Sequence, residues 1–124
     1  MLTGQLGNLA PDRLASQILK LSDFYNQNVG HPTPWTESFT RDAYLAYFLP
    51  LNFARLQTAF QEVKRFLPLD SIREIWDIGS GTGATHWVLE NEPEFTPRPF
   101  FNIEASRDAI LLHQELLKKV EKRG

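Results

Sequence analysis

The chain is 124 residues long, 42% hydrophobic and 23% charged, which is enough for one domain and ordinary for a soluble globular protein. A formal net charge of −2 gives no bulk electrostatic case for nucleic-acid binding. With no cysteine there is no disulfide framework, thiolate metal site or thiol nucleophile, and His31, His86 and His113 match no metal-ligand spacing.

No apolar run approaches the roughly 18 residues that a membrane span needs. The start Met1-Leu2-Thr3-Gly4-Gln5 lacks the basic and apolar regions of a signal peptide and the arginines of a transit peptide. The expected location is therefore the cytoplasm, without membrane attachment.

Taken in order, residues 1–69 read as a helical leader. Pro11 suits a first helical position, and Leu14, Ile18, Leu21 and Tyr25 then form one apolar face. Gly30-His31-Pro32-Thr33-Pro34 ends that helix in a stiff connector. Thr40 is placed to cap a short helix over Arg41–Phe48, which Pro50 is expected to interrupt. A longer helix from Leu51 to Phe66 carries the stripe Phe53, Leu56, Phe60, Val63 and Leu67. The leader is rich in aromatic residues. Helical spacing assigns most of them to a core rather than to a base-stacking surface, leaving Trp35 and Tyr47 as the positions whose exposure matters.

Residues 70–124 read β-α-β-α: a strand over Glu74–Ile78, a helix from Thr82 to Glu90, a proline-containing loop to Pro99, a strand over Phe100–Ile103, and a last helix capped by Ser106. Ala109, Leu112, Leu116 and Val120 mark that helix's inner face. The lysines and arginine at its end suit a solvated terminus rather than a nucleic-acid patch.

Between the first strand and its helix lies Asp77-Ile78-Gly79-Ser80-Gly81-Thr82-Gly83. Gly79 allows a sharp turn off the strand, Gly81 opens the backbone to a ligand, and Gly83 allows close packing of the helix. Glu104, 21 residues after Gly83, closes the second strand, where a carboxylate can accept from both ribose hydroxyls of an adenosine or simply cap the strand end. The spacing Gly-x-Gly-x-Gly and a carboxylate at Asp77, ill suited to a diphosphate but suited to an ammonium, favour S-adenosylmethionine over a dinucleotide. Asp77 can equally order the loop by accepting from its N–H groups. Ser80, Thr82 and Thr85 read either as ligands of the cofactor carboxylate or as helix caps. His86 reads as a surface residue or as one standing behind those that touch the cofactor, and Arg107 as a neighbour of the adenine or an exposed first-turn residue.

Ile75–Gly83 resembles motif I of class I S-adenosylmethionine-dependent methyltransferases, and Phe101-Asn102-Ile103-Glu104 resembles their acidic second motif. Upstream, Ala43–Arg55, with its tyrosines and Pro50, followed by Trp76–Gly83, resembles the mitoribosomal small-subunit methyltransferase-like family and its bacterial relatives. Leu49 stands where that family usually has arginine before the proline, Thr82 replaces its loop proline, and its later cluster-binding cysteines are absent.

The resemblance implies an α/β fold: a helical leader followed by the first β-α-β-α units of an incomplete Rossmann-like methyltransferase. It implies cofactor binding by Asp77, Gly79, Ser80, Gly81, Thr82, Gly83 and Glu104, and a link to ribosomal RNA or the small ribosomal subunit. Two strands fall short of the family's sheet of about seven. The chain is thus expected to be the amino-terminal part of a longer protein, inactive alone and without assignable catalytic residues. Open sheet edges invite self-association, or partial disorder of residues 70–124. A non-catalytic assembly or binding module stays open as the alternative, since fold does not decide activity. A dehydrogenase fragment ranks below both.

Overall fold

The computed structural model describes residues 10–123; Met1–Gln5, read above for signal character, lie outside them. The described residues fall into two compact units, with the boundary between Leu51 and Asn52.

In the first unit, helix α1 spans Pro11–Gln27, with Pro11 at its first position. Leu21 is fully buried, while Leu14, Ile18 and Tyr25 on the same face are half-buried. Helix α2, Thr40–Ala43, runs into a π turn over Tyr44–Phe48, which passes without a break into helix α3, Leu49–Phe66. Two sequence expectations change here. Thr40 does not cap through its side chain; its hydroxyl donates to the Pro34 carbonyl at 2.6 Å and ties the connector to the helix. Nor does Pro50 end the helix. The π turn just before it bonds the Leu49 N–H to the Tyr44 carbonyl, five residues back. A wide turn of this kind relieves the crowding that a proline ring causes in a regular helix.

The aromatic residues of this unit form a chain of contacts. Tyr25 meets Phe48 edge-on at 5.2 Å, Tyr44 lies 4.9 Å from Trp35, and Tyr47 touches Phe48 at 5.1 Å. The Tyr25 hydroxyl shares a 2.9 Å hydrogen bond with Thr33, and burial pushes its pKa up. Trp35 is half-buried and Tyr47 is about half exposed.

The second unit carries the rest of α3, a 3-10 turn at Leu69–Ser71, strand β1 (Ile75–Ile78), helix α4 (Ala84–Glu90), strand β2 (Phe100–Ile103) and helix α5 (Arg107–Arg123). The strands are parallel, with Ile75 opposite Phe100 and Ile78 opposite Ile103. A parallel pair needs a crossover, which α4 and its flanking loops supply. Ala84, Trp87, Val88 and Leu89 of α4 and Ala109, Leu112 and Leu116 of α5 are buried. Val120, expected on that inner face, is 38% exposed: it lies near the free end of α5, beyond the last buried residue.

Trp76, Ile78, Phe101 and Ile103 face outward on the sheet, and Trp76 and Phe101 lie 4.6 Å apart. Parallel sheets are normally covered on both faces.

The proline-containing loop between α4 and β2 is held by two charged clamps. Lys64 of α3 donates to Glu92 at 2.8 Å, with Gln61 on the other carboxylate oxygen at 3.2 Å. The hydrogen bond from Lys64 holds the Glu92 carboxyl below its usual range. Arg98 donates to the carbonyls of Leu69, at 2.6 Å, and Ile72, and to both oxygens of Thr96, while its guanidinium lies 4.1 Å from the Phe95 ring. Only a planar fork reaches so many acceptors at once. Arg98→Ala is expected to cost about 2 kcal/mol in urea unfolding, and Arg98→Lys to recover less than half, because hydrogen bonds from a charged donor are worth about 1.5–3 kcal/mol before discounting for solvent.

Candidate functional site

The glycine loop leaves the carboxyl end of β1 and docks on the end of β2. The N–H groups of Gly79 and Ser80 both donate to the Ile103 carbonyl, at 2.7 and 3.2 Å. Gly79, Gly81 and Gly83 all adopt positive φ, at 76°, 56° and 87°. Such angles cost a side-chain-bearing residue dearly. A side chain at Gly79 would meet nothing within 4 Å, so open space lies on that side of the loop. At Gly83 the opposite holds: a Cβ there would run into the His113 ring, with Cδ2 only 2.7 Å away. Gly83 is also the residue before α4, its carbonyl accepting from the Trp87 N–H at 3.0 Å. The helix thus starts at Ala84, two residues later than the sequence suggests, because the third glycine keeps the turn going.

Glu104 reaches back to this loop. One carboxylate oxygen accepts from the Gly81 N–H at 2.7 Å, the other from the Ser106 N–H at 3.0 Å. A single half-buried carboxylate therefore joins the middle of the loop to the start of α5. Ser106 caps α5, its hydroxyl accepting from the Ala109 N–H at 3.3 Å. A carboxylate has about four acceptor positions, so Glu104 keeps capacity beyond these two bonds.

The remaining candidates fall in different places. Asp77 is half-buried in β1, opposite Asn102 and close enough to His113 to act on its charge. The hydroxyls of Ser80 and Thr82 are enclosed and have no hydrogen-bond partner. Thr82 is nearly fully buried, and its carbonyl accepts from the Trp87 indole at 3.3 Å. Its side chain thus lies within the fold, not on the open side of the loop. His86 bonds Glu90 through Nε2 at 2.9 Å. A cavity of about 380 Å³ lined by His86, Leu89, Glu90, Phe95, Pro97, Arg98 and Phe100 lies by the start of β2, at the opposite end of the sheet from the loop. Among the described residues no group of three or more His, Cys, Asp or Glu side chains is arranged to hold a metal.

Sequence reading passed over His113, which is 6% exposed. The signal was present, since it lies four residues after Ala109 on the inner stripe of α5.

The family model described as mitochondrial small ribosomal subunit Rsm22 matches residues 39–123. The chain belongs to the Rsm22 family. The match runs from the residue before α2 to the end of α5 and includes the aromatic helix, the π turn, the glycine loop and Glu104. It also includes Leu49 and Thr82, the two positions noted above as departures. No curated protein and no solved structure matches the chain. No helix among the described residues is long and apolar enough to cross a membrane.

Proposed function

We propose that this Rsm22-family chain carries the S-adenosylmethionine-binding portion of a methyltransferase that works on or with the small ribosomal subunit, with ribosomal RNA as the acceptor class. The observation that carries this reading is the Glu104–Gly81 hydrogen bond. It brings the acid after the second strand to the centre of a loop with three positive-φ glycines, the arrangement that an adenosine ribose and a close-lying backbone require.

The residues present fit the cofactor in a definite way. The open side of Gly79 admits the ligand against the main chain, and Glu104 keeps acceptor positions for the ribose hydroxyls. Asp77 supplies negative charge at the end of β1, where an ammonium group can be met. Ser80 and Thr82, enclosed as they are, serve the loop's shape in this reading rather than touching the ligand. When bound, the cofactor supplies an electrophilic methyl group; the protein's part is to align it with the acceptor. The fold in this reading is the beginning of a Rossmann-like sheet, and its bare face and edges are places for further protein to cover, a second copy included.

Calorimetric titration of the chain with S-adenosylhomocysteine, with NAD as the comparison, tests the cofactor. Binding of the first alone, lost in Gly81→Val, is the expected result. A preference for NAD overturns the reading.

A non-catalytic assembly module is the second reading, and one observation favours it: both Glu104 oxygens already serve the protein's own N–H groups. Glu104 thus ties the loop to α5 in a role that needs no ligand. Association with small subunits together with no heat from S-adenosylhomocysteine would select it.

A further inference from the structure

The inner face of α5 consists of Ala109, Leu112, His113 and Leu116. Three are apolar and the fourth is an imidazole whose Nε2 is enclosed without a hydrogen-bond partner. An apolar side chain would avoid the cost of burying that nitrogen. What the ring touches suggests why it is there. It occupies the space that a Gly83 side chain would need, directly beneath the turn that closes the glycine loop with the Gly83–Ser80 hydrogen bond of 2.9 Å. The His86 ring meets it edge-on at 5.5 Å, and the Trp87 ring lies at 6.0 Å. His86 Nδ1 is likewise enclosed and unpartnered.

The charged and titratable groups facing His113 come from two elements: His86 and Glu90 of α4, and Asp77 of β1. Burial is the largest influence and, with His86, holds the imidazole below its ordinary 6.5; Asp77 and Glu90 pull weakly the other way. The ring is therefore neutral at pH 7. A proton added to it has neither solvent nor an acceptor at Nε2, and faces a second imidazole. The relaxed response is for the ring to move toward water, which empties the space under Gly83.

We propose that His113 is a positioning residue of the glycine loop: its neutral ring, seated on Gly83, holds the loop in its ligand-accepting shape, and protonation releases it, so that cofactor occupancy falls on acidification. This rests on the cofactor reading above. The direction follows from linkage. The native, closed loop is favoured fully above the ordinary imidazole value, and that advantage is lost as pH falls below it through the lower folded value.

The test uses the 124-residue chain. In a nuclear magnetic resonance titration from pH 7.5 to 5, the Gly83 amide is expected to move with the same midpoint, below 6.5, as the His113 ring. That transition should vanish in His113→Leu. It should shift to higher pH in His86→Gln, which removes the imidazole that lowers the His113 pKa. His113→Gln serves if the leucine variant does not fold. S-adenosylhomocysteine should bind the wild type about fivefold more weakly at pH 5.5 than at pH 7.5, and the His113 variants equally at both, as proton linkage through one group requires. A His113 ring that titrates without moving Gly83, or the same loss of affinity in His113→Leu, overturns the proposal. Absence of binding at pH 7.5 defeats the cofactor reading instead, and the Gly83 transition then decides the positioning role by itself.

Discussion

Gly83→Ala is expected to destabilise the second unit by about 2–5 kcal/mol, close to the whole stability of so small a unit. Two effects add. A φ of 87° is left-handed territory, costing a Cβ-bearing residue about 1–2 kcal/mol. The new methyl also collides with the His113 ring, an overpacking cost of about 1–3 kcal/mol. Gly79→Ala separates them. It has a similar φ of 76° but open space, so only the backbone cost of about 1–2 kcal/mol applies. Urea unfolding of the two variants gives the difference. Adding His113→Ala to Gly83→Ala should restore part of the stability, since residues in contact couple. Equal losses for Gly79→Ala and Gly83→Ala would show that His113 does not press on the loop.

The second large effect is expected from Glu104→Ala. It leaves the N–H groups of Gly81 and Ser106 without their carboxylate, and so frees both the loop and the start of α5. Hydrogen bonds to a charged acceptor contribute about 1.5–3 kcal/mol each; with Glu104 half-exposed, about 2–3 kcal/mol in total is expected by urea unfolding. Glu104→Gln keeps one acceptor oxygen and should lose about half as much stability. For S-adenosylhomocysteine the two variants should fare alike, each weakened by at least about tenfold, because a ribose donating two hydroxyls needs both oxygens to accept. If affinity instead follows stability, Glu104 acts on the ligand only through the loop.

Local signals made much of the second unit legible. The exact span of β2, the three glycines and the Ser106 cap all rest on short-range chemistry that a sequence displays directly. The expectations that changed depended on partners a single segment cannot reveal. Pro50 reads as a breaker until the π turn before it is known, and Thr40 reads as a cap until Pro34 is found beside its hydroxyl. The inward disposition of Ser80 and Thr82 follows from how the whole loop lies on Ile103 and Trp87. His113 was hidden for another reason. Its place on the apolar stripe was readable, but its chemistry draws attention to metals and catalysis rather than to the glycine it rests on.

The three tryptophans occupy three distinct surroundings. Trp35 belongs to the aromatic chain of the first unit; Trp76 stands 56% exposed on the bare sheet face; Trp87 is 7% exposed, with its indole N–H on the Thr82 carbonyl. The molecule therefore contains its own set of fluorophores. Emission from Trp87 senses the glycine loop through one hydrogen bond, Trp76 senses whatever comes to rest on the sheet, and Trp35 senses the helical unit. Single-tryptophan versions would let the behaviour of each region be read optically, with no label added.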